Sequence, residues 1–206
     1  MVDLTKKTLI SIEDFYEFVD NGEEMEGLLI QNEIIENIDE KLMMKDCVFQ
    51  NVTFVHCNFA GSEFTDVFFR KCDFSNNQVS DSSFYKVQLE RCKLMGSNFS
   101  ECYFKEVILQ GVLGTYANFS DSKWVNSLIK ESSFQNAYFN HSEFKKMVFQ
   151  SSDFKKASFL QNKLKGIDFT TCQIGALEVG TQEIEGMQVT MAQAMGFLRL
   201  LQLDIK

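Results

Sequence analysis

The chain contains no proline, two histidines and one tryptophan in 206 residues. Without proline every backbone N–H is free to donate, which suits an unbroken stack of short strands. His56 and His141 are the only imidazoles, and no Ser/His/Asp or Cys/His set can be assembled around either. No C-x-x-C pair occurs among the six cysteines, which argues against a disulfide framework or a zinc site. No glycine-rich phosphate loop, nucleophile elbow or paired catalytic carboxylates occur. We therefore expect no catalytic residue, no cofactor, no metal and no small-molecule substrate. No apolar run is long enough to span a membrane. Met1 to Ile10 lacks the basic start and apolar stretch of a secretory leader, so a cytoplasmic location is expected.

What the chain does have is a period of five. Phe49, Phe54, Phe59, Phe64, Phe69 and Phe74 begin it. Thirty positions ending in 4 or 9 lie between Met44 and Val189; all but Gly114 are apolar and seventeen are Phe. Only 45% of the whole chain is apolar, so chance does not produce this. Two residues before each centre the rule is smallness: twenty-two of twenty-nine positions from Cys47 to Met187 are Cys, Ser, Ala or Val. The period fits neither a helix nor a single strand. A large and a small inward residue per five describe one flat side of a coil, and four sides make a coil of twenty. Such a unit buries its apolar side only against its neighbours, so the chain should be a solenoid of seven to eight coils, about 35–40 Å long at ~4.8 Å per coil. All six cysteines fall in the small inward slot and read as buried hydrophobes. Ser and Asn in that slot, such as Ser82, Asn77 and Asn162, should bond to local backbone.

Runs such as DCVFQ, HCNFA, KCDFS and GSNFS resemble the pentapeptide-repeat family, over about residues 44–189. The resemblance implies an all-β fold, a right-handed quadrilateral parallel β-helix. The register never shifts between Met44 and Val189, so no loop interrupts the coils. VLGTY, Val112 to Tyr116, is the one irregularity; a local kink or bulge is expected there, with Leu113 or Tyr116 filling the place of a core residue at Gly114.

The ends differ from the repeat. Residues 1–43 read as an N-terminal cap and irregular first coil, with a helix over Ile12 to Val19 capped by Ser11 and Asp14. Leu28, Leu29, Ile30, Ile34 and Ile35 should begin the stack. Residues 190–206 carry a capping box, Thr190 and Gln193, before an apolar helix. Met191, Met195, Phe197, Leu198 and Leu201 offer more apolar surface than a lid needs. A homodimer through this end is expected. The tail resembles that of Qnr-type quinolone-resistance pentapeptide proteins, at Gly186, Val189, Gln193, Ala194, Leu198, Leu203 and Ile205. That likeness, closest to the loop-free chromosomal kind from Gram-positive bacteria, implies a C-terminal dimer and a DNA-mimicking rod that binds DNA gyrase or topoisomerase IV.

Charge tests that implication. The net charge is −9, but residues 1–45 hold −8 of it and residues 46–189 only −2. Stacking residues twenty apart sorts the repeats onto four faces. The face centred on Phe59, Phe99 and Phe119 carries Asp81, Glu101, Asp121 and Glu178 and no Lys or Arg. Asp81, Glu101 and Asp121 share one slot and should form a vertical line, a candidate acidic stripe for a basic groove. Lys123, Lys130, Lys145, Lys146, Lys155, Lys156, Lys163 and Lys165 crowd the later coils instead. The acidic balance argues against direct nucleic-acid binding. Two readings stand: a non-catalytic topoisomerase-binding partial DNA mimic that protects the enzyme from quinolones, and a scaffolding repeat protein with another protein partner.

Overall fold

The computed structural model describes residues 6–201, the side chains of Arg199 and Leu201 excepted. It is a four-sided β-solenoid of about seven turns in which every strand pairing is parallel. In chain order the first face carries a seven-stranded sheet, from Met25–Glu26 to Glu143–Lys145. The second carries an eight-stranded sheet, from Thr8–Leu9 to Val148–Gln150. On the third and fourth faces the coils are held mainly by single bridges, such as Asp73 to Lys93 and Asn98 to Asn118. The register is twenty residues: Phe64 pairs with Phe84, Phe84 with Phe104, and Phe104 with Trp124.

The two inward rules define the core. Every centre from Phe49 to Val179 is buried except Phe144, which is half-buried; Gly114 is buried too, without a side chain to fill the core. Like stacks on like: Phe99, Phe119, Phe139 and Phe159 form a column with ring centroids 5.3, 5.1 and 4.8 Å apart. Full burial of each such ring contributes roughly 1.5–3 kcal/mol. In the small slot, polar side chains close a hydrogen-bond gap left by the backbone. The Val112 N–H donates to Ser132 Oγ at 3.0 Å, and Ser132 Oγ donates to Lys130 O at 2.8 Å. Asn77 and Asn162 do the same with both ends of their amides. The cysteines are buried free thiols in this slot. Burial pushes the Cys102 thiol up to about 12, and it raises Cys47, Cys57 and Cys172 as well.

Corners follow a third rule, which the slot's composition reflects: thirteen of the twenty-four from Asp46 to Gln161 are Asp, Asn, His or Gly. The residue two past each centre is left-handed at every coil corner from Asp46 to Gln161, with φ of 47–61° where it is not glycine. Lys, Arg, Glu and His all occupy it, although the left-handed region disfavours side chains with a Cβ. Pairing with the next coil holds it there: the Lys71 N–H donates to Glu90 O at 2.8 Å.

Gly114 produces neither a kink nor a bulge. Leu113 is still bridged to Ser133, and Leu113 and Tyr116 are about half exposed, at 47% and 59%. Phe134 of the next coil takes the space, its Cε1 lying 2.3 Å from where a Gly114 Cβ would be.

At the N-terminus, helix α1 (Ile12–Asn21) runs two residues beyond the expected span, to a left-handed cap at Gly22. The Ser11–Asp14 capping box is present, and Phe15 and Val19 are buried over the first coil. Coiling begins at Met25, with Ile30 and Ile35 as buried centres paired to Phe49 and Phe54. Leu28 is also buried, whereas Ile34 is 60% exposed. The offset in this coil is nineteen, Met25 to Met44, and it becomes twenty at Met44 to Phe64. The missing residue lies between Ile38 and Leu42, since Asn58 N–H donates to Ile38 O and Glu63 N–H to Leu42 O.

At the C-terminus, the expected continuous helix is instead α2 (Met191–Met195) followed by a 3-10 turn at Leu198–Leu201, with Gly196 between them. The Thr190–Gln193 capping box forms. Gln193 Nε2 also donates to Phe169 O and Cys172 O at 2.9 and 2.8 Å, which ties the lid to the last coil.

Candidate interaction surface

Outward side chains on this scaffold stand in columns one coil apart, so any surface site is a strip. Asp81, Glu101 and Asp121 occupy the corner where the fourth face turns into the first. Their N–H groups donate to Ser100 O, Ser120 O and Asn140 O at 3.0, 2.9 and 2.8 Å. The three carboxylates are exposed, in register and separated by one coil each, ~4.8 Å. Asp81 and Glu101 make no ion pair among the described residues. Asp121 meets His141, the next residue in the same column, at 3.4 Å between Oδ1 and Nδ1. Glu178, on the same face, stands in the slot before the centre and so lies off the line.

An amide ladder stiffens the face beside them. Asn98 Nδ2 donates to Gln78 Oε1 at 3.0 Å, and Asn118 Nδ2 to Asn98 Oδ1 at 3.1 Å. Asn98 Oδ1 also accepts from Ser100 N–H, and Asn118 Oδ1 from Ser120 N–H. The backbone leading into Glu101 and Asp121 is thereby fixed from both sides. Chemically the strip offers a rigid row of acceptors on a surface without a cation, suited to meeting ammonium or guanidinium groups rather than to catalysis. Among the described residues no group of three or more His, Cys, Asp or Glu side chains is placed to hold a metal ion.

The C-terminal residues divide. Met191 and Met195 are 83% and 61% exposed, whereas Phe197 is buried in the chain's own core and Leu198 is half-buried. The Leu201 side chain, Leu203 and Ile205 lie outside the described residues. Phe197 joins the core at this end and lines one cavity with Ile174 and Leu177.

Sorting by face also concealed a feature. The first face sums to +1 over its length, yet five of its seven acids, Asp46, Glu63, Asp66, Glu183 and Glu185, sit towards the two ends, with most of its lysines between. Position along the rod, and not the face total, carries that signal.

The repeat region matches two family descriptions: "Pentapeptide repeat region" over residues 62–139, and "Pentapeptide repeats (8 copies)" over 44–76 and 132–170. No curated protein matches the chain. Solved structures similar to it include full-length QnrB1, a plasmid-mediated fluoroquinolone resistance protein, at 15% identity and a TM-score of 0.44, covering 85% of this chain and 100% of that one. HetL, a pentapeptide repeat protein involved in heterocyst differentiation regulation from the cyanobacterium Nostoc, is similar at 10% identity and a TM-score of 0.43, covering 88% and 95%. A pentapeptide repeat protein from the thylakoid lumen of Arabidopsis thaliana is similar at 13% identity and a TM-score of 0.38, covering 69% and 75%. No helix among the described residues is long and apolar enough to cross a membrane.

Proposed function

Because this chain belongs to the pentapeptide-repeat family, we propose that it is a non-catalytic binding rod whose acidic corner docks in the DNA-handling groove of a type II topoisomerase. The observation that carries the reading is the stacked, exposed line of Asp81, Glu101 and Asp121. One carboxylate per ~4.8 Å of rod approximates the phosphate density of a nucleic-acid strand, one per ~3.4 Å of axis. A basic groove built for phosphates gains from such a row through complementary potential. The Qnr-like tail residues Gly186, Val189, Gln193 and Ala194 support the same reading, and DNA gyrase and topoisomerase IV are the partners it names. The work of such a protein is done in the cytoplasm.

The test is DNA supercoiling by purified gyrase, titrated with this protein, with and without ciprofloxacin. Restored supercoiling in the drug's presence is the expected result. Inhibition without rescue would indicate binding without protection. No effect at micromolar protein would overturn the reading.

The same proposal makes the rod a dimer through the exposed face of α2. Replacing Met191 and Met195 together by Asp should convert a sedimenting dimer to a monomer without loss of the fold. A wild-type monomer would remove this part of the reading and leave the corner untouched.

A further inference from the structure

We propose that the first face, between Tyr103 and Lys165, is a binding strip for single-stranded nucleic acid. The inference stands apart from the reading of the acidic corner, and it departs from the expectation drawn from net charge. Lys105, Lys123, Lys145, Lys146, Lys163 and Lys165 project from four successive coils of this face, against Glu106 and Glu143 within those coils, a net of +4, with Glu183 and Glu185 one coil beyond Lys163 and Lys165. The strip is ~14 Å long at ~4.8 Å per coil.

Its lysines are unequally satisfied. Lys123 pairs with Glu143 at 3.2 Å, and Lys105 Nζ lies over the Tyr85 ring, 4.8 Å from its centroid. Among the described residues Lys145, Lys146, Lys163 and Lys165 make no ion pair, and all four are exposed. Four ammonium groups on neighbouring coils repel one another. A polyanion laid along them relieves that repulsion and releases its own counterions.

Two features select the kind of polyanion. The acidic corner borders the strip: Glu101 is two residues from Tyr103, and Asp121 two from Lys123. A duplex lying across the face would bring its second strand onto those carboxylates, whereas one strand running along the coils avoids them. Tyr103, 40% exposed, lies among the lysines at the strip's N-terminal end. Its ring offers a surface for a stacked base beside a charged track, the combination by which proteins hold single strands without sequence preference. An acidic peptide would use the lysines and leave the ring idle.

Fluorescence anisotropy of a fluorescein-labelled single-stranded oligothymidine, titrated with the full-length protein at several salt concentrations, tests this. Binding should weaken with salt along a log–log slope of about −3, at roughly −0.7 per phosphate for about four contacts. Lys145, Lys146, Lys163 and Lys165 all replaced by Gln should cost at least tenfold. Lys155→Gln with Lys156→Gln, on the third face, should change nothing. Tyr103→Ala should weaken binding about tenfold at unchanged salt slope. If the fourfold variant does not fold, Lys163→Gln with Lys165→Gln carries the test, with about a threefold loss and a slope reduced by about 1.4. The proposal falls if folded wild-type protein fails to bind at low salt. It falls equally if the Gln variants bind undiminished. Displacement by polyglutamate at equal charge, together with an inert Tyr103→Ala, would also overturn it and assign the strip to an acidic polypeptide.

Discussion

The inside and the outside of one coil follow opposite rules. In residues 117–136 the inward side chains, Ala117, Phe119, Ser122, Trp124, Ser127, Ile129, Ser132 and Phe134, are all buried to 5% exposure or less. Between them stand Asn118, Asp121, Lys123 and Lys130, with no shared size or charge. Inward slots must match the slot one coil above and below, because stacked rings and hydrogen-bonded hydroxyls leave no slack. Outward slots meet only water, so the same backbone carries an acidic line at one corner and a lysine strip on the face beside it. The fold therefore constrains the interior and leaves the surface open to whatever partner selected it.

The strongest way to break the inside is Trp124→Ala. The indole stacks on Phe104 at 3.9 Å and donates from Nε1 to Ser122 Oγ at 2.8 Å. Its removal should cost about 3–5 kcal/mol, read as a fall in the urea midpoint. Gly114→Val tests the same rule by addition, since the new side chain must displace the Phe134 ring. An overpacking cost of about 1–3 kcal/mol is expected. Were Gly114 merely a tolerated defect, Val would be neutral. Ser132→Ala should cost about 1–3 kcal/mol because it strips the Val112 N–H of its acceptor, and Ser132→Cys should cost less if a thiol substitutes there as cysteine does in other coils.

Alkaline pH sharpens the comparison without a mutation. Cys47, Cys57, Cys102 and Cys172 hold their protons more tightly when folded, above the ordinary value of 9.0. Between pH 9 and about 12 the unfolded chain then binds fewer protons than the native one. By linkage, stability is fully present below pH 9 and declines as pH rises through the folded-state values. Equilibrium unfolding in urea at pH 8 and pH 10 should show the drop. Cys102→Ser should reduce it, Cys102 being a thiol raised to about 12.

Much of this interior was legible in the sequence because two slots in five obey a chemical rule that repeats with the coil. The first coil was harder to read, since losing one residue between Ile38 and Leu42 puts Met25, Ile30 and Ile35 out of the later register. The sheet and turn faces share one consensus, so nothing in the slots distinguishes them. The left-handed corners left a compositional mark, since thirteen of the twenty-four from Asp46 to Gln161 are Asp, Asn, His or Gly and none is β-branched; inter-coil hydrogen bonds hold the rest. Asp81, Glu101 and Asp121 could be aligned from spacing alone. The same spacing aligns the lysine strip, but a sum over the whole face hides it, because its flanking acids cancel it.

The smallest expected effect on stability is the most telling. Asp81→Lys, Glu101→Lys and Asp121→Lys change the acidic corner by six charges, yet each should move the unfolding free energy by no more than about 0.5 kcal/mol. Lysine already occupies the equivalent left-handed corner at Lys71, Lys86, Lys146 and Lys156, with φ of 53–57°. The backbone therefore accepts the substitution, and the lost carboxylates support nothing inside. If topoisomerase binding disappears while the urea midpoint stays put, the outside has been changed without touching the inside. If the unfolding free energy falls by several kcal/mol, the corner is part of the interior's design, and its charge was never free for a partner to select.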